Sequence, residues 1–464
     1  MHPFLTLSVI LCGLAFTAIA RSAEPIRNVL FIIADDLKAN ALGAYGNEIC
    51  QTPNLDRLAS RSMVFDLAFC QGTWCAPSRQ SLMHSRYIGN RGPTLGKHLI
   101  AHGRYSARVG KIFHMRVPGD IIDGTDGRDV PETWTERFNC KGQEAHTPGL
   151  YRLLNQNIET RAPENRQSTA MPHRMFVSVE SDGDGSAQPD WKAAEKAVEI
   201  LQARADSPEP FFLAVGFVRP HYPSVAPAEH FRRYPFEKVP APVVPEGDIN
   251  DIPKPGRAPT TSEGCGIAKF PDNIRKMRAD YYATVTFMDE QLGKVLDELD
   301  RRKLRDSTLI IFTSDHGYHL GEHDFWQKST LHEDVIRVPF LISAPGMKTG
   351  RTRSLAELAD IYPTVCDLLG VPIPESAQGE SLKPVLQDPE AKVRQAAFAL
   401  NPPKGHAIRT DEWAYMRYRN GEEELYRMST DPGQIENLAS RKELAGTKRE
   451  LKRMLDEKVA QATK

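Results

Sequence analysis

The stretch Asn28-Val-Leu-Phe-Ile-Ile-Ala-Asp-Asp36 decides the fold. Residues Val29–Ala34 are apolar without interruption, and two aspartates follow at once. A run this short with no polar interruption reads as a strand buried on both faces, the arrangement found in parallel sheets. Four other runs share the texture: Ala107–Val109, Phe211–Phe217, Thr308–Thr313 and Pro339–Ile342. Helical patterns lie between some of them. The clearest is Arg278–Leu299, with Tyr281, Val285, Met288, Leu292, Val295 and Leu299 on one stripe. Strands alternating with helices predict an α/β fold, a mostly parallel central sheet flanked by helices, over residues 24–370.

The polar residues of interest fall just after the strand runs. Asp35 and Asp36 follow the first, Lys111 and His114 the second, His221 the third, and Asp315 and His316 the fourth. Ligands of open α/β sheets bind outside the carboxyl ends of the strands. A lone Asp-Asp pair more often caps a helix. A third carboxylate after another strand shifts the reading toward a hard cation such as calcium, which takes several oxygen ligands. His316 fits calcium less well, so it implies another metal or a substrate contact.

Between Asp66 and Asp120 the chain has no acidic residue, but it has Arg79, Arg86, Arg91, Lys97, Arg104, Arg108, Lys111 and Arg116. Such a segment suits an anionic substrate or forms a solvated basic face. A dication beside basic side chains describes a site that transfers a charged tetrahedral group. Within Cys75-Ala-Pro-Ser-Arg79, a thiol beside a guanidinium is one candidate nucleophile and Ser78 another. The residues alone do not choose between them, nor between sulfate and phosphate esters.

The remaining segments frame this core. Residues 117–189 and 239–271 are rich in Pro and Gly and read as surface loops. After Gly370 the texture changes. Trp413–Arg419, the turn Asn420-Gly421 and Glu424–Met428 form a hairpin pattern, and Leu444, Leu451, Leu455 and Val459 fall at helical spacing. A smaller α+β C-terminal domain is expected over 371–464. Leu5–Ala20 reads as the core of a secretory signal at residues 1–23, so the mature protein is expected to be exported, to the periplasm or beyond the cell. Some of its cysteines would then be open to pairing. The net charge of −1 gives no sign of a nucleic-acid partner or of a membrane surface.

Cys75-x-Pro77-Ser78-Arg79 resembles the signature of the type I sulfatases of the alkaline phosphatase superfamily. So do Asn28–Asp36, Thr52-Pro-Asn-Leu-Asp-Arg-Leu-Ala59, Gly110-Lys-Ile-Phe-His114, Arg219-Pro-His221, Ser314-Asp-His-Gly317, Leu320-Gly-Glu-His323 and Lys328. Lys111-x-x-His114 and the Asp315-His316 pair are most similar to the iduronate-2-sulfatase branch. The resemblance implies that the cysteine is oxidised to formylglycine by a formylglycine-generating or anaerobic sulfatase-maturating enzyme. Arg86 matches the usual continuation of the signature, whereas His84-Ser85 stand in place of its Thr-Gly. The resemblance further implies one Ca2+ held by Asp35, Asp36, Asp315, His316 and the modified Cys75. Arg79 and Lys111 would stabilise the formylglycine and the developing charge, His114 would hold and later deprotonate its second hydroxyl so that sulfate is eliminated, and His221 and Lys328 would bind sulfate and protonate the leaving oxygen. His319 and His323 are expected behind the site. The substrate would be a sulfated, uronic-acid-containing saccharide. The alternatives are a phosphatase or phosphonate hydrolase of the same superfamily, and a sulfated-glycan-binding protein without activity.

Overall fold

Asn28–Asp35 is a fully buried strand near the middle of an eight-stranded sheet. The computed structural model describes residues 25–167 and 169–464, and the expected signal at 1–23 lies outside the described residues. Val29, Phe31 and Ile33 pack into the core on one face of the sheet, and Leu30, Ile32 and Ala34 into the core on the other. Two cores sharing one strand require apolar side chains in both alternating directions, which is why the run has no polar interruption.

Across the sheet the strands are Gly350–Thr352, Met63–Phe65, Phe340–Ser343, Thr308–Ser314, Asn28–Asp35, Phe211–Pro220, Tyr105–Gly110 and Glu136–Phe138. The five from Thr308–Ser314 to Glu136–Phe138 run parallel. Phe340–Ser343 runs antiparallel to both its neighbours. The sheet is thus mostly parallel. The helices Pro189–Arg204 and Pro271–Arg301 cover one face, the second of them packing Tyr281, Val285, Met288, Leu292 and Val295 against it. The helices Cys75–His84, Leu95–Ala101 and Ile361–Leu369 cover the other.

The hairpin expected near the C-terminus belongs to a four-stranded antiparallel sheet built from Ala397–Asn401, Gly405–Arg409, Trp413–Tyr418 and Glu423–Arg427. The helix Ala445–Ala462 lays Leu451 and Leu455 against Phe398, Ile408 and Tyr415 of that sheet.

The segment 117–189 departs from its expectation as loop. It contains the strands Gly149–Leu153, Ile158–Thr160 and Val177–Ser181, which join Ser224–Pro227 in a second four-stranded sheet. Gly149–Leu153 buries alternate residues, but over only five positions. A strand this short carries too little periodicity to stand out among loop residues. No disulfide joins the six cysteines of the described residues, all of which are buried thiols. Two large cores already supply the burial for which small exported domains rely on disulfides. Among the described residues no helix is long and apolar enough to cross a membrane.

Candidate active site

Four neighbouring parallel strands deliver the chemistry to one edge of the sheet. In spatial order, Thr308–Ser314 leads to Asp315 and His316, Asn28–Asp35 to Asp36, Phe211–Pro220 to His221, and Tyr105–Gly110 to Lys111. Gly216 makes one of these placements possible. A Cβ there would lie 2.1 Å from the Lys111 carbonyl oxygen, so only glycine lets the chain leave its strand so close to its neighbour. Cys75 opens the helix Cys75–His84 and points into the same place. Its Sγ lies 3.4 Å from His316 Nε2, 3.2 Å from Lys328 Nζ and 3.9 Å from Asp36 Oδ1. Ser78, the other candidate, donates its hydroxyl to the Asp315 carbonyl at 2.5 Å. It therefore braces the strand end, while Cys75 faces the acids.

Arg79 sits one helical turn further on and is fully buried. Its Nε donates to Asp315 Oδ2 at 2.8 Å, one terminal nitrogen donates to Asp35 Oδ1 at 2.9 Å, and the other donates to the carbonyls of Lys111 and Ile112. Lys111 Nζ pairs with the second oxygen of Asp35. Burial pushes the Asp35 carboxyl up, but Lys111 and Arg79 more than offset it and hold it well below the usual range. For Asp36 burial wins, with Asp35 and Asp315 adding to it, and the carboxyl is raised despite Lys328 and His316. The same burial, with Asp35, drives the Cys75 thiol well above its ordinary value. The guanidinium next in the helix is spent on Asp35 and Asp315. Cys75 is thus not the low-pKa thiol that an adjacent arginine suggests.

The donor set fits a hard cation. Asp35, Asp36, Cys75 and His221 each offer an atom within 4.8 Å of the others, and so do Cys75, Asp315 and His316. Asp36 Oδ2 is buried with no hydrogen-bond partner among the described residues, a costly arrangement unless a cation satisfies it. Asp36 also holds a left-handed backbone, φ 64°, pinned where Tyr281 donates to its carbonyl at 2.7 Å. His316 Nδ1 lies 2.9 Å from the Gly317 carbonyl and so carries the ring proton, leaving a lone pair on Nε2 toward Cys75 and Asp36. A backbone carbonyl orienting the far ring nitrogen is the usual support of a metal-binding histidine. His316 thus stands beside the acids that could hold a metal ion.

His221 and Lys328 close the other side. Lys328 Nζ donates to Asp36 Oδ1 at 2.6 Å. His221 gives Nδ1–H to the Tyr222 carbonyl at 2.6 Å and turns Nε2 toward Asp36, 3.8 Å away. Burial, then Lys328, holds His221 well below its ordinary value, so the ring is neutral. His114 lies at the margin. It makes no side-chain hydrogen bond among the described residues, and its Nδ1 is buried without a partner. Burial and then Lys111 lower it to about 4, leaving a neutral ring with a free lone pair. His319 and His323 stand behind the site, on Thr330 and Asp248 respectively.

Three residues outside the predicted site set support it. Tyr281 reads as one more residue of an apolar helix stripe. Arg219 donates to both oxygens of Glu144, each at 2.9 Å, and to the His221 carbonyl at 2.9 Å. Tyr222 packs its ring 4.2 Å from that of His221. The Arg219–Glu144 and Tyr281–Asp36 contacts have no sequence signal, since their partners are 70 or more positions apart, whereas Arg219 and Tyr222 flank His221 within and beside the Arg219-Pro-His221 motif. At position 85 the helix ends in a left-handed residue, φ 52°. Glycine adopts this without cost; here Ser85 compensates by donating to the Ala359 carbonyl at 2.7 Å and accepting from Gly379 N–H.

Comparison with known proteins agrees with this geometry. The sequence matches the family described as Sulfatase over residues 27–113 and 128–371, and the N-sulphoglucosamine sulphohydrolase C-terminal family over 321–461. It is 31% identical to the iduronate 2-sulfatase of Mus musculus over 427 residues, covering 78% of this chain and 72% of the relative. It is 30% identical to a sulfatase of Formosa agariphila over 450 residues, covering 89% and 83%. In structure it resembles the phosphonate monoester hydrolase of Silicibacter pomeroyi at a TM-score of 0.75, with 22% identity and coverage of 94% and 96%. That likeness extends to the fold alone. With the family matched over most of its length and a relative 31% identical over 78% of it, the chain belongs to the sulfatase family and is a sulfuric ester hydrolase.

Proposed function

We propose that the protein removes sulfate from a uronic-acid-containing glycan, using formylglycine made from Cys75 and a calcium ion held by Asp35, Asp36, Asp315 and His316. The observation that carries this reading is the position of Cys75 Sγ, within 3.9 Å of Asp36, His316 and Lys328. The similarity to an iduronate 2-sulfatase supports the uronate part. Export is part of the same reading and rests on the apolar run Leu5–Ala20. A maturating enzyme would act on Cys75 during biogenesis.

When bound, the cation supplies Lewis acidity that lowers the pKa of an oxygen nucleophile. The chain's own residues do the rest. Arg79 and Lys111 hold the acids in place and face the charge that builds up during transfer. His114, neutral and with Nδ1 unpartnered, is the base that takes a proton from position 75 as sulfate departs. Lys328 keeps its proton: burial alone would lower its pKa, but Asp36 and Cys75 raise it well above the ordinary value. A sulfate group arriving beside His221 Nε2 favours the imidazolium, and that nitrogen then donates to the leaving oxygen.

Two outcomes are expected. Dialysis against a chelator should abolish most activity and lower the thermal midpoint, because buried carboxylates lose their counter-ion, and calcium should restore both. Restoration by zinc alone would rule out the calcium assignment. His221→Ala should reduce turnover of a sugar sulfate by about 10^2–10^4-fold and of a nitrophenyl sulfate much less, since only the poor leaving group needs a proton. Equal losses on both would remove His221 as the acid. A faster reaction on aryl phosphate than on aryl sulfate would instead favour the phosphatase alternative.

A further inference from the structure

A cavity of about 320 Å³ lies beside the site, lined by Arg166, Arg174, His146, Tyr151 and Tyr222. Its volume falls within the range of small-molecule sites. Tyr222 links it to the chemistry, because its ring packs on His221 with 4.2 Å between centroids. Burial raises the Tyr222 hydroxyl while the charges of Lys328 and Arg174 both oppose that rise, so one phenol lies within the field of both cations. Pro118, four residues beyond His114, forms part of another wall.

The charge of this cavity is unusual. Among the described residues no acidic side chain lines it. Arg174 forms neither an ion pair nor a side-chain hydrogen bond among the described residues, and its Nε is buried without a partner. Arg166 donates to the carbonyls of Ala145, Thr147 and Gly149 and lies over the Tyr151 ring, again with no carboxylate partner. A half-buried guanidinium without a counter-ion is costly, and a planar guanidinium pairs well with a carboxylate or a sulfate. By contrast, a cavity of about 720 Å³ is lined by both charge signs, including Arg353, Asp411 and Glu450, and shares no residue with the site.

We infer that this cavity is a recognition subsite in which Arg174, with Arg166 behind it, binds a second anionic group of the saccharide whose sulfate ester sits at Cys75. That group is a carboxylate or a further sulfate. The inference deepens the proposed function and rests on it for the first anion. The strand-bearing segment 149–181, which the sequence presents as loop, would then carry the specificity.

The test compares Arg174→Ala with the unaltered enzyme on three monosulfated or disulfated sugars: a sulfated uronate, its carboxyl-reduced analogue, and a neutral sugar with two sulfates. The preference for a dianionic over a monoanionic sugar, as a ratio of kcat/KM, should fall on the order of 10- to 100-fold, mainly through KM. Arg174→Lys should recover part of it, and serves if the alanine variant folds poorly. A fall confined to the uronate names the carboxylate; one confined to the disulfated sugar names the sulfate. A ratio unchanged within about twofold overturns the inference. Calorimetry of the sulfated uronate against Cys75→Ala and Cys75→Ala/Arg174→Ala needs no turnover, so it separates this inference from the proposed reaction. Affinity weaker by about tenfold or more in the double variant sustains the subsite even if sulfatase activity is not found. Equal affinities of the two variants for the sulfated uronate and, in a parallel titration, for the disulfated sugar, or no binding of either sugar, reject it.

Discussion

Cys75→Ala is expected to reduce turnover of any sulfate ester by on the order of 10^4-fold or more, while the thermal midpoint stays within a few degrees. The loss is large because the variant removes the proposed attacking position. The other candidate, the Ser78 hydroxyl, is committed to the Asp315 carbonyl at 2.5 Å. The stability cost is small because one buried sulfur is removed from a helix whose other contacts persist. Cys75→Ser, expressed without a maturating enzyme, separates chemistry from shape, since it keeps a hydroxyl there but no aldehyde. Both variants should be inactive if formylglycine is the nucleophile. Residual activity near that of the unaltered enzyme in either one would place the nucleophile elsewhere. Mass spectrometry of the peptide carrying Cys75, after co-expression with a maturating enzyme, reads the modification directly.

Arg79→Ala should be as damaging for a different reason. The guanidinium is fully buried and joins Asp315, Asp35 and two backbone carbonyls. Removing it leaves one oxygen each of Asp35 and Asp315 and two backbone carbonyls without their donor in a water-poor place, with Lys111 the remaining cation on Asp35. Breaking a buried pair in this way costs about 3–5 kcal/mol. Activity should fall together with stability, because Asp35 and Asp315 are also the proposed cation ligands. Arg79→Lys is the sharper variant. It restores a charge, but an ammonium cannot reach two acids and two carbonyls that a planar fork spans at once. It should therefore regain part of the stability and little of the activity. Thermal unfolding and aryl sulfate turnover measured on both variants decide this. An Arg79→Ala protein with unaltered stability would show that Lys111 and the cation carry the acids alone.

Much of the frame was legible because it follows from local rules. An unbroken apolar run announces a strand covered on both faces. Val29–Ala34 does so because its odd and even residues enter different cores. A strand also delivers whatever follows it to the sheet edge, so Asp35, Asp36, Asp315, Lys111 and His221 could be named as one group before any distance was known. The loop reading of 117–189 failed for the complementary reason. Its strands of three to five residues are too short to show a period, and their pairing partner Ser224–Pro227 is distant in the chain.

What the sequence determined by itself is the residue inventory and the order of strands: which acids, bases and thiol exist, and that they sit at strand ends. The tertiary structure alone decided how they are used. It turned Ser78 onto a carbonyl and Cys75 onto the acids, and raised the thiol rather than lowering it. It tied His316 Nδ1 to Gly317, and left Arg174 without a counter-charge. Direction, burial and partnership depend on residues hundreds of positions apart meeting in a low-dielectric interior. There a few ångströms set which charge is stable, and no local pattern encodes that.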